Sequence, residues 1–155
     1  MNKKEYEERI AKLEKELNEL KEAKIEDDEF PKHGQAYWFA DVDGYVVCDY
    51  WGNSAIDKCR KDFVRIFKTK KECERYSEIQ KAFKEESGKF KPNWQDCTQD
   101  KYYLYYDYDR DNIEIILAWS NRVATLHFES REVLKELIER FGEEDIKKYY
   151  FGIED

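Results

Sequence analysis

The sequence predicts an α+β protein in which two repeated β-β-β-α units form an antiparallel sheet with helices on one face, preceded by an N-terminal coiled-coil helix. Three observations predict this fold. They are a heptad pattern at the N terminus, paired hairpin motifs further along the chain, and an amphipathic helical pattern that closes each half. We therefore divide the chain into a helix at 1–24, a linker at 25–35 and a domain at 36–155, with repeats at 36–88 and 101–155.

The N-terminal segment carries a narrow apolar seam. Its apolar residues alternate between spacings of four and three positions, as in a coiled coil: Tyr6, Ile10, Leu13, Leu17 and Leu20. The intervening residues are almost all Glu, Lys or Arg, so the helix has little apolar surface to bury by itself. We expect Ile10, Leu13, Leu17 and Leu20 to pair two copies of the chain as a homodimer. The alternative is a helix that lies across its own domain.

The two halves of the domain, which follow a linker containing Pro31 and Gly34, repeat three short motifs in the same order. The first half contains YWFADVDG from Tyr37, WGN from Trp51 and FKT from Phe67; the second contains YLYYDYDR from Tyr103, WSN from Trp119 and FES from Phe128. The segments between corresponding motifs differ in length between the two halves, and these differences fall in predicted loops. This favours a structural repeat. The alternative explanation is that both halves share the sequence features of hairpins. We expect both tryptophans to lie in the core.

Each half is predicted to end in a strand and a capped helix. The third strands are predicted at Phe63–Phe67 and Val123–Phe128. Thr69 and Ser130 are typical N-cap residues, and apolar residues follow each of them at helical spacing. A short final helix is predicted at about 143–149, where it docks the apolar C-terminal residues on the domain.

The composition restricts the class of protein. Charged residues make up 41% of the 155 residues and the net charge is −8, so the surface is densely charged. An aromatic content of 16% is too high for a disordered chain. No apolar run is long enough to span a membrane, and the N terminus lacks the apolar core of a secretory signal. We therefore expect a cytoplasmic protein with no membrane contact.

The cysteines do not form a metal-binding pattern. They are widely spaced and include no CxxC pair: Cys48, Cys59, Cys73 and Cys97. Structural zinc sites usually take their ligands in close pairs, so we expect these residues to be small buried side chains. Neither a disulfide framework nor a zinc site is predicted.

The acidic hairpins also lack the full pattern of a cation site. The spacing of Asp107, Asp109 and Asp111 resembles a calcium loop, but Asn112 and Ala118 stand where that loop needs a glycine and a bidentate glutamate. We expect these acids to stabilise a turn. No nucleophile elbow, phosphate-binding loop or dinucleotide-binding motif occurs in the sequence. We predict a non-enzymatic protein with no metal and no cofactor.

Two groups of residues are candidates for binding a partner. The first is basic and covers a predicted loop and the third strand that follows it: Lys58, Arg60, Lys61 and Arg65. It is predicted to contact an anionic ligand or an acidic protein surface, and the alternative is an ordinary solvated face. The second group is Tyr103 and Tyr105, on one face of a predicted strand, where aromatic rings stack on bases or anchor a protein. Their alternative is burial beneath the segment that contains Phe90 and Trp94.

Three stretches of the sequence, YWFADVDGYV, FKTKKECE and EEDIKKYYFGIE, are similar to a family of uncharacterised small proteins from phages and prophages of Firmicutes. The resemblance covers about residues 34–155, and its motifs are structural, so it assigns no catalytic residue. It implies a phage accessory protein of the host cytoplasm that binds and inhibits a host defence component such as a CRISPR nuclease. The alternative is a protein that binds a nucleotide or nucleic acid and sequesters a signal.

Overall fold

The chain forms a long N-terminal helix followed by an α+β domain, in a computed structural model that describes residues 3–27 and 29–154. The first helix, α1, spans Lys3–Asp27 and ends three residues beyond its predicted end. The elements of the domain are β1 (Ala36–Ala40), β2 (Val46–Tyr50), α2 (Ala55–Phe63), β3 (Ile66–Phe67), α3 (Lys70–Gly88), β4 (Lys101–Asp107), β5 (Asn112–Ala118), α4 (Arg131–Phe141) and α5 (Glu143–Asp145), which continues into a π-helical turn at Ile146–Tyr150. The predicted α+β class with an N-terminal helix is confirmed.

The strands form two separate antiparallel sheets. One has the order β2-β1-β3, and in its register Trp38 lies opposite both Cys48 and Phe67. The other contains only β4 and β5, with Tyr103 opposite Ile116. The predicted repeat of three strands and a helix is therefore not confirmed.

The predicted third strands are the elements that differ most from the structure. In the first half the strand is only β3, because the chain up to Phe63 is the helix α2. In the second half Phe128 forms a single antiparallel bridge to Tyr102 and no strand. The expectation that Trp51 and Trp119 share a core environment is also wrong, since Trp51 is 8% exposed and Trp119 is 55% exposed. Within residues 101–154, no helix corresponds to α2.

The main core lies around α3. Its fully buried residues come from α3, α4, the π-helical turn and the segment before α4: Cys73, Ile79, Phe83, Phe128, Leu134 and Ile146. Both predicted caps are confirmed, because Thr69 accepts a hydrogen bond from the Glu72 amide and Ser130 accepts one from the Val133 amide. The predicted final helix is also present, and its last turn is the wider π-helical one.

A second, smaller core lies on the other face of the three-stranded sheet. Its buried members are Tyr37, Phe39 and Trp51, and Phe30 and Ile66 pack against it. Successive residues of β1 point to opposite faces, so Tyr37 and Phe39 enter this small core while Trp38 packs on the main one. The small core needs its own cover, and α2 provides it.

The predicted seam of α1 is exposed in the single chain. Ile10 is 39% exposed, Leu13 54% and Leu17 51%. Tyr6 is 55% exposed, and the side chain of Leu20 lies outside the described part of the chain. The apolar residues at heptad spacing on α1 are thus exposed and can contact a second helix, as in a coiled coil.

The cysteines do not follow the prediction that they are buried. Cys73 is buried in the main core, but Cys48, Cys59 and Cys97 are exposed, and all four are free thiols. Cys48 lies on the edge strand β2 and Cys97 in the loop before β4. Cys59 is exposed because it lies on the side of α2 that faces away from the domain.

Candidate protein-interaction surface

The helix α2 replaces the predicted basic loop, and a capping box begins it. The Ser54 hydroxyl accepts a hydrogen bond from the Asp57 amide, and the Asp57 carboxylate accepts one from the Ser54 amide at 3.0 Å. The Gly52 amide donates to the same carboxylate at 2.9 Å. The S-x-x-D spacing of Ser54 and Asp57 is the sequence signal that identifies this helix, and our sequence prediction did not use it.

The side of α2 that faces the domain is polar. The Tyr37 hydroxyl, fully buried in the small core, donates to Asp57 at 2.8 Å and accepts from Arg60 at 2.8 Å. Arg60 also pairs with Asp49 at 2.5 Å and stacks over the Phe39 ring at 4.2 Å. The hydrogen bond from Tyr37, followed by those from the backbone amides, holds the pKa of Asp57 well below its usual range. We call Tyr37, Asp49, Asp57 and Arg60 the inner network.

The outer side of α2 is apolar and exposed. Ile56 is 63% exposed and Phe63 is 86% exposed, and Cys59 lies between them at helical spacing. Val64 and Val42 extend this surface, because both line, together with Phe63, a cleft of about 350 Å³ beside the β1–β2 hairpin. We call Ile56, Cys59, Phe63, Val64 and Val42 the α2 stripe. A helix of a soluble domain normally turns its apolar side inward, so the orientation of α2 is the reverse of the usual one.

Two lysines lie on α2 outside the α2 stripe. Lys58 and Lys61 are both exposed on α2, and in the described part of the chain neither is within 4.0 Å of a carboxylate. The Lys61 ammonium lies 5.8 Å from the centre of the Trp51 ring. Both lysines are therefore available for contact, and Asp62 is exposed on the same helix.

The other two predicted basic residues belong to the fold. Arg60 is part of the inner network. Arg65 donates to the Lys148 carbonyl at 2.6 Å and to the Glu154 carboxylate at 3.1 Å, so it ties the C-terminal segment to the sheet. The structure thus separates the predicted basic group into two surface cations, Lys58 and Lys61, and two cations with internal partners.

The predicted aromatic pair lies on the other sheet and is only partly exposed. Tyr105 is 48% exposed, but Tyr103 is half-buried against the ring of His127, with the ring centres 5.7 Å apart. The Trp94 ring also packs on His127, with the ring centres 4.8 Å apart. The segment that contains Trp94 therefore covers part of this face, and only Tyr105 presents a substantial aromatic surface.

Two of the hairpin acids act as turn residues, as predicted, whereas Asp111 pairs with Lys147 at 2.9 Å. Asp41 accepts hydrogen bonds from the amides of Asp43 and Tyr45, and Asp107 accepts them from the amides of Asp109 and Arg110. No group of three or more His, Cys, Asp or Glu side chains within the described residues is arranged to hold a metal ion.

Comparison with known proteins gives no match for this chain. No protein-family model matches the chain, and neither a curated protein nor a solved structure matches it significantly. Within the described residues, no helix combines the length and the apolar character needed to cross a membrane.

Proposed function

We propose that this protein is a non-enzymatic inhibitor that binds a partner protein through the α2 stripe, and that the partner is a host defence component such as a CRISPR nuclease. One observation supports the binding surface above all others, which is the reversed orientation of α2. Large apolar side chains that stay exposed next to each other mark contact sites on soluble proteins. The nature of the partner follows from the resemblance to phage accessory proteins.

The inner network explains how the stripe is held ready for a partner. Asp57 and Arg60 fix α2 to the sheet through Tyr37 and Asp49, so the helix keeps its place although its apolar side is not buried. A rigid surface loses little conformational entropy when it binds. The apolar side chains of α2 are therefore free to contribute to binding.

The chemistry of the stripe specifies the surface that it fits. Phe63 is a large apolar anchor, and such anchors fill pockets at the centre of protein interfaces. Lys58 and Lys61, on other sides of the same helix, favour carboxylates on the partner, which accelerate association. The complementary surface is an apolar groove with an acidic rim.

Affinity capture followed by an inhibition assay tests this proposal. The tagged protein is used to capture partners from a Firmicutes lysate that contains an active CRISPR nuclease, and DNA cleavage by the captured nuclease is then titrated with the protein. We expect inhibition that saturates at stoichiometric protein and leaves the nuclease chain intact. Full cleavage activity at a large excess of the protein, or chemical modification of the nuclease by it, would contradict the proposal.

We further propose that a second copy of the chain covers the exposed seam of α1, and the charges predict a parallel dimer. In heptad terms Ile10 and Leu17 occupy a positions and Leu13 a d position, which places Arg9 at g and Glu14 at e. In a parallel pair Arg9 of each copy lies opposite Glu14 of the other, whereas an antiparallel pair centred on the leucines brings the two Glu14 side chains together. Opposite charges therefore favour the parallel arrangement.

Light scattering of charge variants tests this dimer. The protein at tens of micromolar should have a mass of about twice 18.9 kDa. Arg9→Glu should weaken the dimer several-fold and Arg9→Glu with Glu14→Arg should restore it, since each like-charge pair destabilises by a few tenths of a kcal/mol. Lys15→Glu is the matched control, because Lys15 pairs with Glu19 of its own helix at 3.8 Å. A monomeric protein, or equal effects of Arg9→Glu and Lys15→Glu, would contradict the prediction.

A further inference from the structure

A second feature of the domain, apart from the α2 stripe, is a cleft of about 920 Å³ between the end of α3, the segment before β4 and the segment 122–127. Its main functional side chains are Lys84, Trp94, Arg122, Thr125, His127 and Tyr150. No carboxylate side chain is among its described lining residues, although 36 of the chain's 155 residues are acidic. The cleft beside the C terminus differs, because there Lys147 and Lys148 are accompanied by Glu72 and Glu144.

The charge of the cleft is therefore positive and not neutralised from within. Lys84 and Arg122 are both exposed, and within residues 29–154 neither lies within 4.0 Å of a carboxylate. A concave surface of low polarity concentrates the potential of its charges. An anion is the ligand that this potential attracts.

A buried histidine in the lining of the cleft has an unused hydrogen-bonding atom. His127 is 6% exposed, and its Nε2 has no hydrogen-bond partner among the described residues. Burial lowers the pKa of His127, and the charges of Arg122 and Lys101 lower it further, so the imidazole is neutral at neutral pH. A buried polar atom without a partner costs stability, so native proteins seldom leave one unused.

The size of the cleft and its aromatic residues restrict the class of anion. A volume of about 920 Å³ is at the upper end of the range for small-molecule sites and much larger than an inorganic ion needs. Trp94 and Tyr150 are both half-buried in the wall, where they present ring surface to an occupant. The ligand therefore needs both a negative group and a planar ring.

We infer that this cleft is a binding site for a nucleotide, with Arg122 and Lys84 on the phosphate, the Trp94 ring against the base and His127 as a hydrogen-bonding group. This site is additional to the protein-binding function of the α2 stripe. Lys84 also lines the cleft beside that stripe, so Arg122 is the better residue to alter.

Calorimetric titration with AMP, GMP, CMP and UMP tests the site, with the matching nucleosides and inorganic phosphate as partial ligands. At least one nucleotide should bind, and its nucleoside and inorganic phosphate should each bind at least tenfold more weakly. Arg122→Glu and Trp94→Leu should each weaken nucleotide binding at least tenfold. Lys135→Glu, which reverses an exposed charge on α4, is the matched control and should leave it unchanged.

Three results would overturn the inference. The first is no heat of binding with any nucleotide at millimolar concentration. The second is nucleotide binding that Arg122→Glu and Lys135→Glu weaken equally, which would indicate attraction to the overall charge. The third is phosphate binding as strong as nucleotide binding, which would show that the ring has no role. None of these results depends on capture of a partner protein. If the nucleotide site is disproved, the proposed role of the α2 stripe is unaffected and is tested separately by partner capture.

Discussion

Replacing Asp57 by Asn is expected to lower the melting temperature of the protein by roughly 5 °C or more, because charged hydrogen bonds in a buried network are among the stronger ones. The carboxylate accepts from the Tyr37 hydroxyl and from the Gly52 and Ser54 amides. An amide group cannot accept all three bonds, since its nitrogen is a donor. The loss should loosen α2 and expose the small core beneath it, as differential scanning calorimetry would detect.

The effect of Asp57→Asn should also depend on pH in a defined direction. The pKa of Asp57 in the folded protein lies below its usual range. The ionised carboxylate therefore stabilises the folded protein fully at pH values above the unfolded pKa of about 4. That contribution is lost as the pH falls toward the folded pKa. The difference in melting temperature between the two proteins should therefore be largest near pH 7 and smaller at pH 3.

Asp62→Asn is the matched control for this prediction. Asp62 lies on the same helix but is exposed, so its replacement should change the melting temperature very little at either pH. Equal effects of Asp57→Asn and Asp62→Asn would show that the inner network does not hold α2 in place.

Replacing Phe63 by Ser should weaken partner binding by about thirtyfold or more and leave the melting temperature nearly unchanged. Phe63 is 86% exposed in the single chain, so the fold does not depend on it. At an interface, however, truncation of a central aromatic anchor typically costs about 2 kcal/mol or more. Surface plasmon resonance with the captured partner measures the change in affinity.

Tyr105→Ser is the control for the loss of an exposed aromatic side chain. Tyr105 is 48% exposed and lies on the other sheet, so its replacement should have little effect on partner binding. Lys58→Ala with Lys61→Ala should slow association and make it less sensitive to salt, because such charges act mainly on the association rate. If Tyr105→Ser weakens binding as much as Phe63→Ser does, the partner uses the aromatic sheet face instead.

Local signals predicted much of the fold correctly. Thr69 and Ser130 begin helices where the sequence places caps, and Asp41 and Asp107 stabilise the hairpins. These interactions join residues within four positions of each other, so the sequence contains all that is needed to recognise them. The α+β class follows from the same local patterns.

The orientation of α2 could not be predicted in the same way. The Ser54 and Asp57 spacing identifies the start of the helix, but the usual assumption that the apolar side is buried would place Ile56 and Phe63 in the core. The structure reverses this because Tyr37 lies beneath α2 with a buried hydroxyl that requires partners. Tyr37 and Asp57 are 20 positions apart, and no local pattern links them.

The environments of the predicted site residues depend on equally distant contacts. Arg60 and Lys61 are adjacent in sequence, but Arg60 faces Asp49 and Lys61 faces solvent. Arg65 finds its partners at the C terminus, 83 positions away at Lys148. Composition alone makes these cations equivalent, and only the tertiary fold distinguishes a structural arginine from a lysine that can meet a partner.

Site-specific photo-crosslinking tests most directly whether the α2 stripe is the binding surface. A benzoylphenylalanine residue is introduced at position 63 in one sample and at position 105 in another, and each protein is irradiated with the captured partner. We expect a covalent adduct from position 63 and none from position 105, with the partner's crosslinked residues in an apolar groove edged by carboxylates. An adduct from position 105 alone, or equal adducts from both positions, would contradict it.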